Sequence, residues 1–242
     1  MPDRVLVEIL VAAPIDTVWK ALRDPVEVCR WFGWDYPDLA KDVEMIFGGL
    51  VEDVAARTLT SEHYPDRFVL EDAGSHTVVR IIRSAPVTDG GWQGVYDDVY
   101  EGWITFLQQL KFALERHRGE DRRTIFLNGR SKDAATPLPL AALGLSQLTA
   151  VPTGERYEIQ TPAGETLRGL VRFRTADQLG LTVEGYGDGL LIVATRPRTA
   201  KSPFGGGQIV ITTYGMPDAA FTAARQRWAD WWERTYEVIE IR

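Results

Sequence analysis

Val99-Tyr100-Glu101-Gly102-Trp103-Ile104-Thr105-Phe106-Leu107-Gln108-Gln109-Leu110-Lys111-Phe112-Ala113-Leu114-Glu115-Arg116-His117 is the stretch from which the fold is read. Val99, Trp103, Phe106, Leu107, Leu110 and Leu114 fall on one face of a helix of about five turns that ends near His117. The residues before it have a different period. Short β-prone runs at 43–47, 49–59, 67–71 and 77–84 are separated by Gly48-Gly49, Pro65-Asp66 and Asp72-Ala73-Gly74-Ser75, the pattern of an antiparallel sheet joined by hairpins. A five-turn helix against one face of such a sheet curves the sheet around it. The space between them is a natural ligand cavity, and the fold class is α+β.

Working outward, residues 5–12 read as a strand that stops at Ala13-Pro14. Ile15, Val18, Trp19 and Leu22 then mark a short helix that begins near Pro14 and ends before Pro25. An irregular stretch follows with Trp31, Phe32, Trp34 and Tyr36. Beyond the long helix, residues 118–123 are wholly polar apart from one glycine, and the domain boundary is placed there, giving domains 1–120 and 121–242. The second half repeats the order of elements. A strand at 124–127 precedes a short apolar helix at 138–148, strands near 156–160, 167–174, 179–184, 190–194 and 208–213, and a helix at 217–236 carrying Phe221, Ala224, Trp228, Trp231 and Trp232 on one face.

Composition narrows the function classes. With 242 residues, 45% hydrophobic and 25% charged, the chain has enough apolar material for one large core or two modest ones. The single cysteine, Cys29, excludes an intramolecular disulfide and a Cys-rich zinc site. Apolar runs such as 190–195 are far shorter than the roughly 20 residues of a spanning helix, and the start lacks a basic region and a clear cleavage site. No membrane span and a cytoplasmic location are expected. The net charge of −7 is unevenly spread: residues 1–123 hold 14 Lys+Arg against 22 Asp+Glu, and residues 124–242 hold 13 against 12. Neither half has a basic stripe interleaved with aromatics, so nucleic acid is not an expected partner.

Residues 74–84 (Gly-Ser-His-Thr-Val-Val-Arg-Ile-Ile-Arg-Ser), 89–96 (Asp-Gly-Gly-Trp-Gln-Gly-Val-Tyr), Gly102-Trp103 and residues 106–111 (Phe-Leu-Gln-Gln-Leu-Lys) form a recurring pattern, with Ala13-Pro14, Val18-Trp19, Ala21-Leu22, Asp24-Pro25 and Trp31-Phe32-Gly33 ahead of them. Together they resemble the bacterial activator-of-heat-shock-chaperone-ATPase-like (AHSA-like) branch of the START/SRPBCC superfamily over most of residues 5–117. The resemblance implies a helix-grip domain whose long C-terminal helix closes a cavity for a small molecule. The second half keeps the element order but lacks the Trp-Phe-Gly turn and the Gly-Trp at the head of its last helix. It is inferred to be a diverged second helix-grip domain in tandem.

Candidate chemistry is sparse. His63, His76 and His117 lack metal-pair spacing and are expected on the surface or in loops, with His117 near a helix C-terminus. Cys29 has no histidine near it in sequence and reads as packing. The two glycine runs, 48–49 and 205–207, lack the Lys-Ser/Thr of a phosphate loop and read as turns. Asp97, Asp98 and Glu101 stand where the long helix is expected to begin and read as caps. Arg80 shares a strand face with Val78 and Ile82, and if that face lines the cavity its guanidinium could grip a ligand carboxylate or phosphate. Trp19, Trp31, Trp34, Phe47, Trp103 and Phe106 lie on elements that would surround a first cavity, and Trp228 lies on the second closing helix.

These readings converge on a tandem helix-grip protein that binds a hydrophobic or amphipathic small molecule, with no cofactor, no metal and no catalytic constellation expected, as a monomer or homodimer. The resemblance also implies contact with a chaperone, although no tryptophan flanks any histidine as in the Trp-His-Trp motif of the separate N-terminal domain of eukaryotic activators. A third alternative is an aromatase or cyclase, whose mark would be an Arg, a Tyr and a carboxylate meeting in one cavity.

Overall fold

The computed structural model of the chain describes residues 3–61, 66–83, 93–200 and 202–239, with the backbone alone for 93–99. It divides into two compact units, Met1–Asp121 and Arg122–Arg242.

In the first unit β1 (Arg4–Val11) leads into α1 (Ile15–Arg23), α2 (Pro25–Cys29) and α3 (Leu39–Phe47), then β2 (Leu50–Asp53), β3 (Thr58–Ser61), β4 (Asp66–Ala73), β5 (His76–Arg83) and the long α4 (Gln93–Arg116). The described strands form one antiparallel sheet in the order β1-β5-β4-β3-β2, so the first strand lies beside the last. Strict alternation on β5 buries Thr77, Val79, Ile81 and Arg83 and turns His76, Val78, Arg80 and Ile82 to the other face. The long helix is fastened to the end of β1. Lys111 donates to the Leu10 carbonyl, the Glu115 carboxylate accepts from the Ala12 amide at 2.9 Å, and Leu107 and Leu110 are fully buried.

Several expectations are corrected here. Residues 43–47, read as a strand, belong to α3, because Leu39, Val43 and Phe47 recur every fourth residue and bury a helical stripe; a five-residue window is too short to separate the two periods. The single strand read at 49–59 is a hairpin, β2 and β3, with Arg57 in the left-handed region at φ 53°. The long helix begins at Gln93, so Asp97 and Asp98 are inside it and do not cap it. The polar stretch 118–123 is no free linker. Arg118 donates to Thr17, Asp121 accepts from Arg30, and Arg122 and Arg123 already belong to the next strand.

The second unit runs β6 (Arg122–Ser131), α5 (Pro139–Ala142), a 3-10 turn (Ser146–Ala150), β7 (Arg156–Gln160), β8 (Thr166–Arg174), β9 (Gln178–Val183), a 3-10 turn (Glu184–Tyr186), β10 (Gly189–Arg196), β11 (Gly206–Tyr214), α6 (Asp218–Thr235) and β12 (Tyr236–Val238). The expected strand at 124–127 is therefore ten residues long, and the expected helix at 138–148 is split at Gly144, whose φ is +71°. The described strands are ordered β12-β6-β11-β10-β9-β8-β7. Apart from the added β12, this is the rule of the first unit: the opening strand beside the last long one, with a meander between them. The core packs Ile125, Leu127, Leu181, Leu191, Val193, Ile209 and Ile211 of the sheet against Phe221, Ala224, Trp228, Trp231 and Trp232 of α6. Each unit is thus an antiparallel sheet with a long C-terminal helix, and the chain is α+β.

One glycine constrains the second unit sharply. Gly187 has φ +70°, and a Cβ there would lie 1.7 Å from the Tyr214 carbonyl oxygen, so an alanine adds a backbone clash to left-handed strain. Gly185, two residues earlier, has open space. In urea unfolding Gly187→Ala is expected to cost at least about 2 kcal/mol, and Gly185→Ala less than about 1 kcal/mol.

Candidate ligand site of the first unit

The aromatic residues of the first unit form a connected chain between sheet and helix. Trp31 and Phe32 follow α2, Phe47 ends α3, Phe68 lies on β4, and Trp103 and Phe106 lie on α4. Ring centroids are 5.7 Å apart for Trp31–Phe47, 5.0 Å for Phe32–Phe47, 4.7 Å for Phe32–Phe106, 5.3 Å for Phe68–Trp103 and 6.1 Å for Trp103–Phe106. Most pairs meet edge to face, the arrangement favoured by the aromatic quadrupole.

Burial divides this chain in two. Trp31, Phe32, Phe47 and Phe68 are buried, and the Trp31 indole donates to the Ala21 carbonyl at 2.8 Å, so these four are core. Trp34, Trp103 and Phe106 are only half-buried and form a rim, with Trp34 6.4 Å from Phe106 and 6.0 Å from Tyr36. Tyr36 donates to Asp42 at 2.5 Å, and burial together with that carboxylate pushes its hydroxyl well above the ordinary tyrosine range.

A polar group stands beside the rim. Asp66 at the start of β4 is paired directly with Arg83 at the end of β5, and the guanidinium grips the carboxylate through Nε at 2.5 Å and Nη2 at 2.6 Å. Both side chains are 9% exposed, and the Trp103 indole donates to the same carboxylate at 3.2 Å. A buried pair of this kind offers a polar contact without net charge.

Two of the expected site residues lie elsewhere in the first unit. Arg80 is on the outer face of the sheet, held by Glu8 at 2.5 Å and Glu71 at 2.6 Å, and the arginine in phase with the core residues Val79 and Ile81 is Arg83. Trp19 lies outside the aromatic chain, with the guanidinium groups of Arg23 and Arg57 at 5.4 and 5.5 Å from its ring centroid. Asp66, Arg83 and their link to Trp103 were missed. The deciding signal, the strand register, does not appear in a single-strand pattern.

Trp228 belongs to the second unit, where it is fully buried and donates to the Tyr186 hydroxyl at 2.8 Å. Glu165 accepts from Arg227 through Nε at 2.8 Å and Nη2 at 2.6 Å, and its negative charge contributes to raising the Tyr186 hydroxyl. Burial is the main cause that pushes the Tyr186 hydroxyl above its ordinary range, so it stays protonated. An arginine, a tyrosine and a carboxylate therefore do meet, but each is engaged by another.

Two of the three histidines are described. His76 is half-buried beside Ser75, and His117 is buried rather than exposed, 3.3 Å from Glu120. His63 lies outside the described residues. Among the described residues no group of three or more His, Cys, Asp or Glu could hold a metal, and no helix is long and apolar enough to cross a membrane. A crevice between Trp31, Ala113 and His117 holds about 10 Å³, room for one water.

Separating the buried pair tests its weight. Asp66→Asn and Arg83→Met are each expected to cost about 3 kcal/mol, because each removes the opposite charge from a buried ion pair, and the double variant clearly less than their sum. Additive losses in a double-mutant cycle would show the pair to be inert.

No family model and no curated relative matches the chain. Among solved structures it is similar to DynU16, a protein of the dynemicin biosynthetic locus, at 18% identity over 93% of each chain with a TM-score of 0.32. The di-domain ARO/CYC BexL of the BE-7585A biosynthetic pathway is 13% identical over 99% of this chain and 100% of its own, with a TM-score of 0.38. The Aha1 dimer of Colwellia psychrerythraea is 19% identical over 49% of this chain and 100% of its own, with a TM-score of 0.34. At such values likeness says nothing about a shared ligand. In each unit the opening strand lies beside the last long one and a long helix follows, the helix-grip arrangement expected from the sequence, and the chain is α+β.

Proposed function

We propose that the first unit binds a hydrophobic or amphipathic small molecule at the rim formed by Trp34, Trp103 and Phe106, with the polar end of the ligand toward Asp66 and Arg83. The observation that carries this reading is the half-exposure of three large rings next to a buried ion pair. Half-exposed aromatics give up little hydration when a flat apolar guest covers them and gain contact area with fixed geometry. The Trp103 indole, already turned to Asp66, joins the apolar and polar parts of the site.

An enzyme of the ring-closing kind is a second reading, favoured by the carboxylate of Asp66 beside a surface suited to a flat ring. Recovery of the bound molecule unchanged separates simple binding from this alternative.

Titration of the whole protein with 8-anilinonaphthalene-1-sulfonate, an amphipathic aromatic probe, should give saturable binding. Phe106→Ala is expected to weaken it at least tenfold, and Arg80→Gln on the outer face to leave it unchanged. Absence of saturation, or equal affinity in Phe106→Ala, would remove the proposal.

A further inference from the structure

A buried glutamine stands on the covered side of the long helix. Gln109 is 2% exposed, and its neighbours Leu107 and Leu110 are fully buried. Burying a side-chain amide is costly unless its hydrogen bonds are met, so a residue of this kind needs a partner. The Gln109 amide donates through Nε2 to the Gly33 carbonyl at 3.2 Å. That bond spans 76 residues of sequence and fastens α4 to the turn that follows α2.

The same turn carries one ring of the rim. Gly33 has φ +62°, a left-handed conformation that a side chain would strain, and Trp34 follows it directly. The Gly33 carbonyl and the Trp34 amide share one planar peptide unit, so fixing the carbonyl fixes the plane from which Trp34 starts. Two residues further on, the Tyr36 hydroxyl donates to Asp42 of α3 at 2.5 Å. Trp34 therefore stands between two fastened points, one on each helix, with its ring 6.4 Å from Phe106 and 6.0 Å from Tyr36.

The other two rings of the rim are set differently. Trp103 and Phe106 both belong to α4, three residues apart, and Gln109 comes three residues later, so all three follow one another along one side of the helix. One helix side thus supplies two of the rings and the amide that holds the third. We infer that Gln109 is a positioning residue of the rim, which sets the distance and tilt of Trp34 against Phe106 through the Gly33 peptide. Its effect on a ligand rests on the rim being the binding site, as proposed above; its hold on Trp34 does not.

Fluorine NMR of the whole protein labelled with 5-fluorotryptophan tests that hold, with the Trp34 line identified by its loss in Trp34→Phe. Gln109→Met, which keeps the length of the side chain and removes the donor, should shift or broaden the Trp34 line and leave the lines of Trp228, Trp231 and Trp232 in place. Gln109→Asn, whose amide is one methylene short of the Gly33 carbonyl, should do the same. In titration with 8-anilinonaphthalene-1-sulfonate, Gln109→Met should weaken binding about fivefold by itself and leave the residual affinity of Trp34→Ala unchanged, because the two residues act as one unit. An unmoved Trp34 line in both variants, a shift shared by the tryptophans of the second unit, or an equal loss of affinity in the Trp34→Ala background would each overturn the inference. If the unaltered protein gives no saturation with the probe, the ligand reading alone falls, and the fluorine lines decide the role of Gln109.

Discussion

Each unit depends on one pairing, that of its opening strand with its last long strand. In the first unit Arg4 lies opposite Arg83 and Val11 opposite Thr77; in the second Arg122 lies opposite Tyr214 and Arg130 opposite Gly206. This return of the chain to its own start closes the order of the sheet and presents one continuous face to the long helix. Where β1 ends, Lys111 and Glu115 fasten α4 to its backbone, so that Trp103 and Phe106 stand over Phe68 and Phe32. The candidate site follows from that placement. Asp66 and Arg83 meet because β4 and β5 are neighbours, and Trp103 reaches them because the helix is held in register with the sheet.

The two units apply the same plan to different ends. In the first, part of the aromatic chain is left half-exposed at a rim. In the second, Trp228, Trp231 and Trp232 are buried between sheet and helix, with the Trp228 indole bonded to Tyr186 and Arg227 to Glu165. The uneven charge of the two halves runs parallel to this difference, with the acidic surplus in the unit that carries the rim.

Long periodic segments were legible in the sequence. The helix at 99–117 was readable because its apolar stripe persists for several turns, and α6 for the same reason. The order of elements in each half could also be read. Short segments were harder: α3 offers only three stripe residues, and the run at 49–59 conceals a turn that Arg57 makes without glycine or proline to announce it. Of the proposed site, only the rings stand out in the sequence. Its rings could be named because bulky aromatics stand out, but the choice between Arg80 and Arg83 depends on which face of β5 is covered. Glu8 and Glu71, which hold Arg80 outside, are 72 and 9 residues away in sequence. Such pairings are properties of a register, and a strand read alone has none.

The pairing of first strand with last also governs the order in which the protein can be assembled. No sheet of this plan is complete until nearly all its residues have been made, which is the costly kind of topology for a searching chain. Every strand pairing described for the first unit, however, lies within residues 4–83, and the fastening of its helix is finished by Glu115. During synthesis from the N-terminus, the acidic unit therefore has all its own partners before the first strand of the next has left the ribosome. Duplication of the plan splits one long search into two shorter ones, taken in sequence.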